Sequence, residues 1–398
     1  MITVLLLIII YLAFISLGLP DSLLGVTLPA IQEQWGIPLS FGGVVSIVGI
    51  TGAVLSSLFS SILVVKWGTG RITLFSCLLT AVSLLGISFA PGIFWIILLA
   101  FPLGIGGGAV DAALNNYVAL HFKARHMNWL HCFWGIGATL GPVIMSLYIE
   151  ETGGWRLGYR FISSFQFFLA TLLLLSLGLW KCHQSLVESD TKPEPPVEKK
   201  SILSYFSVLK QRGVGFALLT MMLYCSLEFA VGLWGSNFLV RVKDFTKDNA
   251  ALWAAFYYGG ITVGRFLSGF VSFRLNNLQL IRLGILLALA GIVILLFPLP
   301  AWITGAAFVL IGLGFSPVFP AMLHQTPIRF GSELSQKIMG FQMGFGYTAG
   351  AVLPALLGAA MHTWGLRLFP VILLTWLVLM LFSSEAIELH LKSGIKTG

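Results

Sequence analysis

Apolar runs of about 20 residues follow one another along the whole chain, each ended by a short polar turn. A helix needs about 20 apolar residues to cross the hydrocarbon of a bilayer. The runs are continuous rather than alternating, which argues against a transmembrane barrel. The pattern predicts twelve helical spans, at roughly 3–31, 42–65, 72–90, 93–120, 128–149, 158–180, 213–239, 249–273, 279–297, 300–323, 335–361 and 366–389. The first is too long for a cleaved signal peptide, and it has neither a basic leader nor a small-residue cleavage site. The expected fold class is an all-α integral membrane protein with twelve transmembrane helices.

One polar insertion breaks the series. Residues 183–212 include HQSLVESDTKPEPPVEKK, whose charge, proline and serine read as a flexible linker. It divides the chain into an N-terminal six-helix bundle, 1–182, and a C-terminal one, 213–398. The halves repeat. At an offset of 208, Gly52 meets Gly260, Gly104 meets Gly312, Gly106 meets Gly314 and Phe122 meets Phe330; at 209, Gly135, Gly137, Thr139 and Gly141 meet Gly344, Gly346, Thr348 and Gly350. Near 207, Asp21 meets Glu228. Internal repeats of six spans are a signature of secondary transporters.

Composition sharpens this picture. Of 398 residues, 57% are hydrophobic and only 10% charged, where a soluble domain carries about a quarter. The formal charge is +8, but the bases are dispersed along membrane edges, which excludes a nucleic-acid role. Most of the 23 Lys and Arg fall on the turns of one side, Lys66, Arg71, Lys123, Arg125 and Arg274 among them. That side is expected to face the cytoplasm, with both termini, in a bacterial inner membrane. Cys77, Cys132, Cys182 and Cys225 have neither metal nor disulfide spacing and read as small apolar residues. GIGGG, from Gly104, lies inside an apolar helix with no strand before it and no phosphate-binding lysine, so it is not a nucleotide loop. With no triad, metal cage or cofactor motif, the chain is not expected to be an enzyme. Its energy source is then an ion gradient or the gradient of its substrate.

Three acids lie well inside spans: Asp21, Asp111 and Glu228. A carboxyl in low dielectric holds its proton more tightly, so it takes up and releases one near neutral pH. These three are the candidate proton-coupling groups. Tyr224 and Gly232 lie four residues either side of Glu228, on one helical face. Arg265 is a lone base, either the partner of an intramembrane acid or a side chain snorkelling to the edge. Asn115, Asn116, His131, His324 and Gln342 could hydrogen-bond a polar solute, and Trp134, Tyr224 and Trp234 could stack on it. The alternatives are interhelical hydrogen bonds for the amides and core packing for the aromatics.

Two turns carry a family resemblance. VVKWGTGRITL follows the second span and GRFLSGFVSFRLNN the eighth. Lys66, Gly68 and Arg71 fit the loop signature of the major facilitator superfamily, with Val65 where an acid is usual; Arg265 and Arg274 belong to the second copy. Together with twelve spans, a six-plus-six repeat and a central linker, the whole chain resembles that superfamily. Within it, GLPDSLLGVTLPAIQEQWGI, GGAVDAALNN and MNWLHCFWGIGATLG resemble the fucose-permease-like group of sugar–proton symporters. The resemblance implies that Asp21 and Asp111 are the proton and substrate carboxylates. The group's fourth-span acid is Glu, Asp111 here, and Trp134 stands where the group uses a fifth-span asparagine. What the resemblance implies is proton-coupled uptake of a small polar solute such as a sugar, by alternating access, in a monomer. The alternative is proton-coupled efflux of amphipathic or lipid-like compounds. It rests on GIGATLGP, similar to a fifth-span element of antiporters, which reads equally as small residues packing two helices closely. A non-transporting sensor or lipid-handling scaffold is a third class.

Overall fold

The computed structural model describes residues 2–21, 23–37, 40–148, 154–188 and 206–395. Every regular element among them is helical. The first span is described as α1 (Ile2–Asp21), which carries Pro20, and, beyond residue 22, α2 (Leu23–Trp35). A proline has no N–H to donate, so the carbonyl four residues back loses its helical partner. α3 (Ser40–Trp67), α4 (Thr69–Ser88), α5 (Ile93–His121), α6 (Ala124–Ser146) and α7 (Gly154–Glu188) complete the N-terminal half. The expected linker, 183–212, lies mostly outside the described residues, as does the side chain of Cys182. A 3-10 turn, Ser207–Lys210, precedes α8 (Val214–Val242), α9 (Lys247–Val271) and α10 (Asn277–Leu296). The tenth span is double, α11 (Ala301–Phe315) and α12 (Val318–Phe330), parted at Ser316 and Pro317. α13 (Ser332–Trp364) and α14 (Phe369–Ile395) follow.

Ten stretches of the described chain are long and apolar enough to cross a membrane by themselves. α6 and α9 are not among them. Both carry the chemistry that lowers hydropathy: Asn128, His131 and Trp134 in α6, and Tyr257, Tyr258 and Arg265 in α9.

The chain forms two compact units. Residues 1–117 and 133–205 make the first, and 118–132 and 206–398 the second. The turn between α5 and α6 thus groups with the C-terminal helices, unlike a division at the linker alone. Within the second unit the Arg125 guanidinium lies 4.9 Å over the Phe273 ring, and Trp129 meets Phe270 edge-on at 5.5 Å.

The repeat governs packing inside each unit. In the first, a Cβ on Gly52 would collide with the Phe101 carbonyl and the Ile105 amide, and one on Gly104 with the Gly49 carbonyl. α3 and α5 therefore touch backbone to backbone. In the second unit Gly260 stands against Val309 and Leu313, and Gly312 against Tyr257. Each of these partners lies at the offset that relates the glycines. The neighbouring seam repeats as well: Gly106 fits against Ser76 and Thr80 of α4, and Gly314 against Gly284 and Ala288 of α10. Without a hydrophobic drive between helices in lipid, close contact of this kind is what holds spans together.

Candidate functional site

In the first unit, directly after Pro20, α1 carries Asp21. Its residue is exposed, and its Oδ2 accepts a hydrogen bond from the Trp134 indole Nε1 at 2.8 Å. α6 can offer that indole because it lies directly on α1: a Cβ on Gly18 would strike the Trp134 carbonyl, and one on Gly137 the Ile15 carbonyl. The small residues of GIGATLGP thus serve close packing against the first span.

Asp111 is buried in α5, with 7% of its surface exposed. Asn115, one turn on, donates through Nδ2 to the Asp111 carboxylate oxygen Oδ1 at 2.7 Å and to its carbonyl at 2.9 Å. Asn116 is buried beside it. Leu17 of α1 reaches the space at Gly107 of α5, where a Cβ would lie 3.6 Å from its Cδ1. Asp21 and Asp111 each lie four residues beyond that contact. The two carboxylates of this unit interact electrostatically, one on an exposed residue and one enclosed.

The second unit holds a charged pair. Arg265 of α9 is 4% exposed and its Nη2 lies 3.5 Å from Glu228 Oε1 of α8. Of the two readings open for Arg265, the geometry is that of a partner for an intramembrane acid. Tyr257 donates its hydroxyl to the Glu228 backbone carbonyl at 3.0 Å, and the Tyr258 hydroxyl fills the space at Gly232. Tyr224, fully buried, donates to the Phe315 carbonyl at 3.1 Å, beside the break between α11 and α12. Its ring and that of His131 both pack on Phe319, at 5.6 Å and 5.0 Å. Glu228, Arg265, Tyr224 and His131 are thus brought to one aromatic-lined region.

Other candidates are tied into the scaffold. The Trp234 indole donates to the Pro354 carbonyl at 2.8 Å, joining α8 to α13. Gln342 Oε1 accepts from Thr326 Oγ1 at 2.9 Å, joining α13 to α12. His324 uses both ring nitrogens. Asn277 Nδ2 lies 2.9 Å from Nδ1 and the Phe122 carbonyl 2.9 Å from Nε2. An amide N–H can only donate and a carbonyl can only accept, so the imidazole is neutral with its proton on Nε2. It joins α10, α12 and the end of α5.

At the first loop, Gly68 caps α4 with φ 79°, a left-handed conformation that only glycine adopts without strain. Lys66 lies 5.3 Å over the Trp67 ring, and Lys66 and Arg71 are exposed. A cavity of about 190 Å³ sits at this corner, between Gly68–Arg71, Tyr117 and Trp180. Arg274 is exposed beyond the end of α9.

Residue reasoning passed over Gln166. This amide is 1% exposed in the middle of α7 and bonds to α1 and α4. An amide in the middle of the sixth span was the available signal.

Relatives agree with this architecture. The fold resembles the fucose–proton symporter FucP of E. coli, 16% identical, with a TM-score of 0.78 over 96% of this chain and 98% of that one. It also resembles the proton–xylose symporter XylE, 12% identical, with a TM-score of 0.72 over 95% and 94%. In sequence, the glucose/mannose transporter GlcP of Bacillus subtilis is 24% identical over 88% of this chain and 87% of its own length. Bypass of stop codon protein 6 of Saccharomyces cerevisiae is 26% identical over 94% and 80%. The model of one family, described as the Major Facilitator Superfamily, matches residues 10–354. A match of that extent establishes kinship: the chain is a multi-pass membrane protein that belongs to the Major Facilitator Superfamily.

Proposed function

We propose that the protein is a secondary transporter that couples the entry of protons to the uptake of a sugar by alternating access. The observation that carries the proposal is the pair of carboxylates of the first unit. Asp21 is exposed and held by the Trp134 indole, and Asp111 is enclosed with Asn115. A coupling carboxyl has to meet water and then be withdrawn from it, and an acid kept within a membrane span is expensive unless it has such work. Asp111 is assigned the coupling proton, with Asp21 as the acid at the exposed end and Glu228 as a third, charge-compensated by Arg265. Asn115, Asn116, His131, Trp134 and Tyr224 are assigned to solute recognition. The printed names of relatives, a glucose/mannose transporter and two sugar–proton symporters, support a sugar as the solute. The excess of bases on one side supports a cell membrane location with both termini cytoplasmic.

The test is uptake of radiolabelled glucose, mannose and fucose into proteoliposomes under an imposed pH gradient. Wild type should concentrate one of them. Asp111→Asn should still equilibrate that sugar across the membrane but lose accumulation. Accumulation that survives in Asp111→Asn would remove Asp111 from the coupling role.

A further inference from the structure

Pro20 frees a carbonyl in α1 that another helix takes up. Because Pro20 has no N–H, the carbonyl of Ser16, four residues earlier, lacks its helical donor. Ser16 is 4% exposed, so water does not supply one. Gln166 of α7 does: its Nε2 donates to the Ser16 carbonyl at 2.9 Å. The other end of the same amide is also held. Thr80 Oγ1 of α4 lies 2.8 Å from Gln166 Oε1, and a hydroxyl facing an amide oxygen leaves the amide nitrogen turned to α1. Cys77 Sγ lies 3.4 Å from the Gln166 carbonyl. Gln166 thus ties α7 to α4 and to the carbonyl of α1 that the proline releases.

Pro20 immediately precedes Asp21. Gly18 seats α1 on the Trp134 backbone, and the Trp134 indole holds the Asp21 carboxylate. The carboxylate lies little more than one turn beyond the freed carbonyl, so its place depends on how that turn of α1 is held. We infer that Gln166 is a positioning residue for Asp21: it takes up the Ser16 carbonyl that Pro20 leaves without a helical donor and anchors the turn of α1 that carries the carboxylate. The inference rests on the assignment of Asp21 to proton coupling. Asp111 on α5 is the other carboxylate of that region.

The experiment compares Gln166→Leu, Pro20→Ala and the double variant in proteoliposomes, reading sugar uptake against pH. Gln166→Leu should lower kcat/KM by roughly tenfold to a hundredfold, the scale of a misplaced reacting group. It should also displace the pH profile, which a general loss of folded protein would not do. Pro20→Ala restores the missing N–H, so Gln166→Leu should add little in that background. An equal effect of Gln166→Leu in both backgrounds, or an unchanged pH profile, overturns the inference. If Gln166→Leu does not fold alone, recovery of folded protein in the double variant supports it and no recovery overturns it. Asp21→Asn separates the two levels. Should Asp21→Asn keep proton-driven accumulation, the coupling role of Asp21 falls first. Should it lose accumulation while Gln166→Leu behaves as wild type, only the positioning role falls.

Discussion

At the scale of single residues, the charged and polar side chains that tie spans together are read by what they bond to. Removing one member of a buried ion pair strands the other and costs about 3–5 kcal/mol, whereas replacing both with apolar groups is often nearly neutral. The Glu228 side chain is 17% exposed and Arg265 5%, which places this pair toward the lower end of that range. Arg265→Leu should therefore lower stability by about 3 kcal/mol, and Glu228→Leu with Arg265→Leu by clearly less than the sum of the two single changes. Thermal unfolding of the purified variants checks this; additive losses would mean the two groups do not act as a pair. For Gln166 the sizes point elsewhere. Interhelical hydrogen bonds in membranes average about 0.6 kcal/mol, so its bond to α1 matters through the place it gives Asp21 more than through stability. Much of this scale was legible in the sequence as residue type and little as partner. The chain announced an isolated base in Arg265 but not which acid it meets, and it announced His324, Trp234 and Gln342 as polar but not that each ties two helices. Such partners depend on helix rotation, which a nearly uniform apolar run does not record.

At the scale of elements, glycine and proline do the organising. Gly52, Gly104, Gly260 and Gly312 sit where a Cβ would meet backbone rather than a movable side chain. Overpacking of a tight seam costs about 1–3 kcal/mol even where side chains can yield, and here they cannot. Gly104→Leu should part α3 from α5 and cut the yield of folded protein, and Gly312→Leu should do the same for α9 and α11. Size-exclusion profiles in detergent measure both; one severe and one harmless change would argue that the two units do not pack alike. The repeat was visible in the sequence because glycines that touch backbone leave few substitutes, so their spacing survives in both halves. The double character of the tenth span was not read as such, because Ser316 and Pro317 fall inside an apolar run whose hydropathy is unbroken.

At the scale of the whole molecule, twelve spans and two repeats follow from hydropathy and periodicity; membership of the superfamily was only a resemblance in the loop motifs, and the family model over residues 10–354 establishes it. What the pattern did not convey is that residues 118–132 group with the C-terminal helices, because contacts of that turn are made by shape and not by sequence period. His324 accepts from Asn277 and donates to the Phe122 carbonyl there. A phenylalanine in its place would lose both bonds while keeping most of the volume. His324→Phe should therefore loosen that turn, seen as faster proteolysis or faster thiol labelling of a cysteine introduced at Lys123, with no change at a control cysteine at Arg156. The central claim is that sugar and protons cross together. It is tested most directly with wild-type proteoliposomes holding a pH-sensitive dye and no imposed gradient, to which the transported sugar is added outside. Coupled entry predicts a saturable acidification of the lumen that disappears in Asp111→Asn; sugar entering wild-type vesicles at a constant lumenal pH would contradict it.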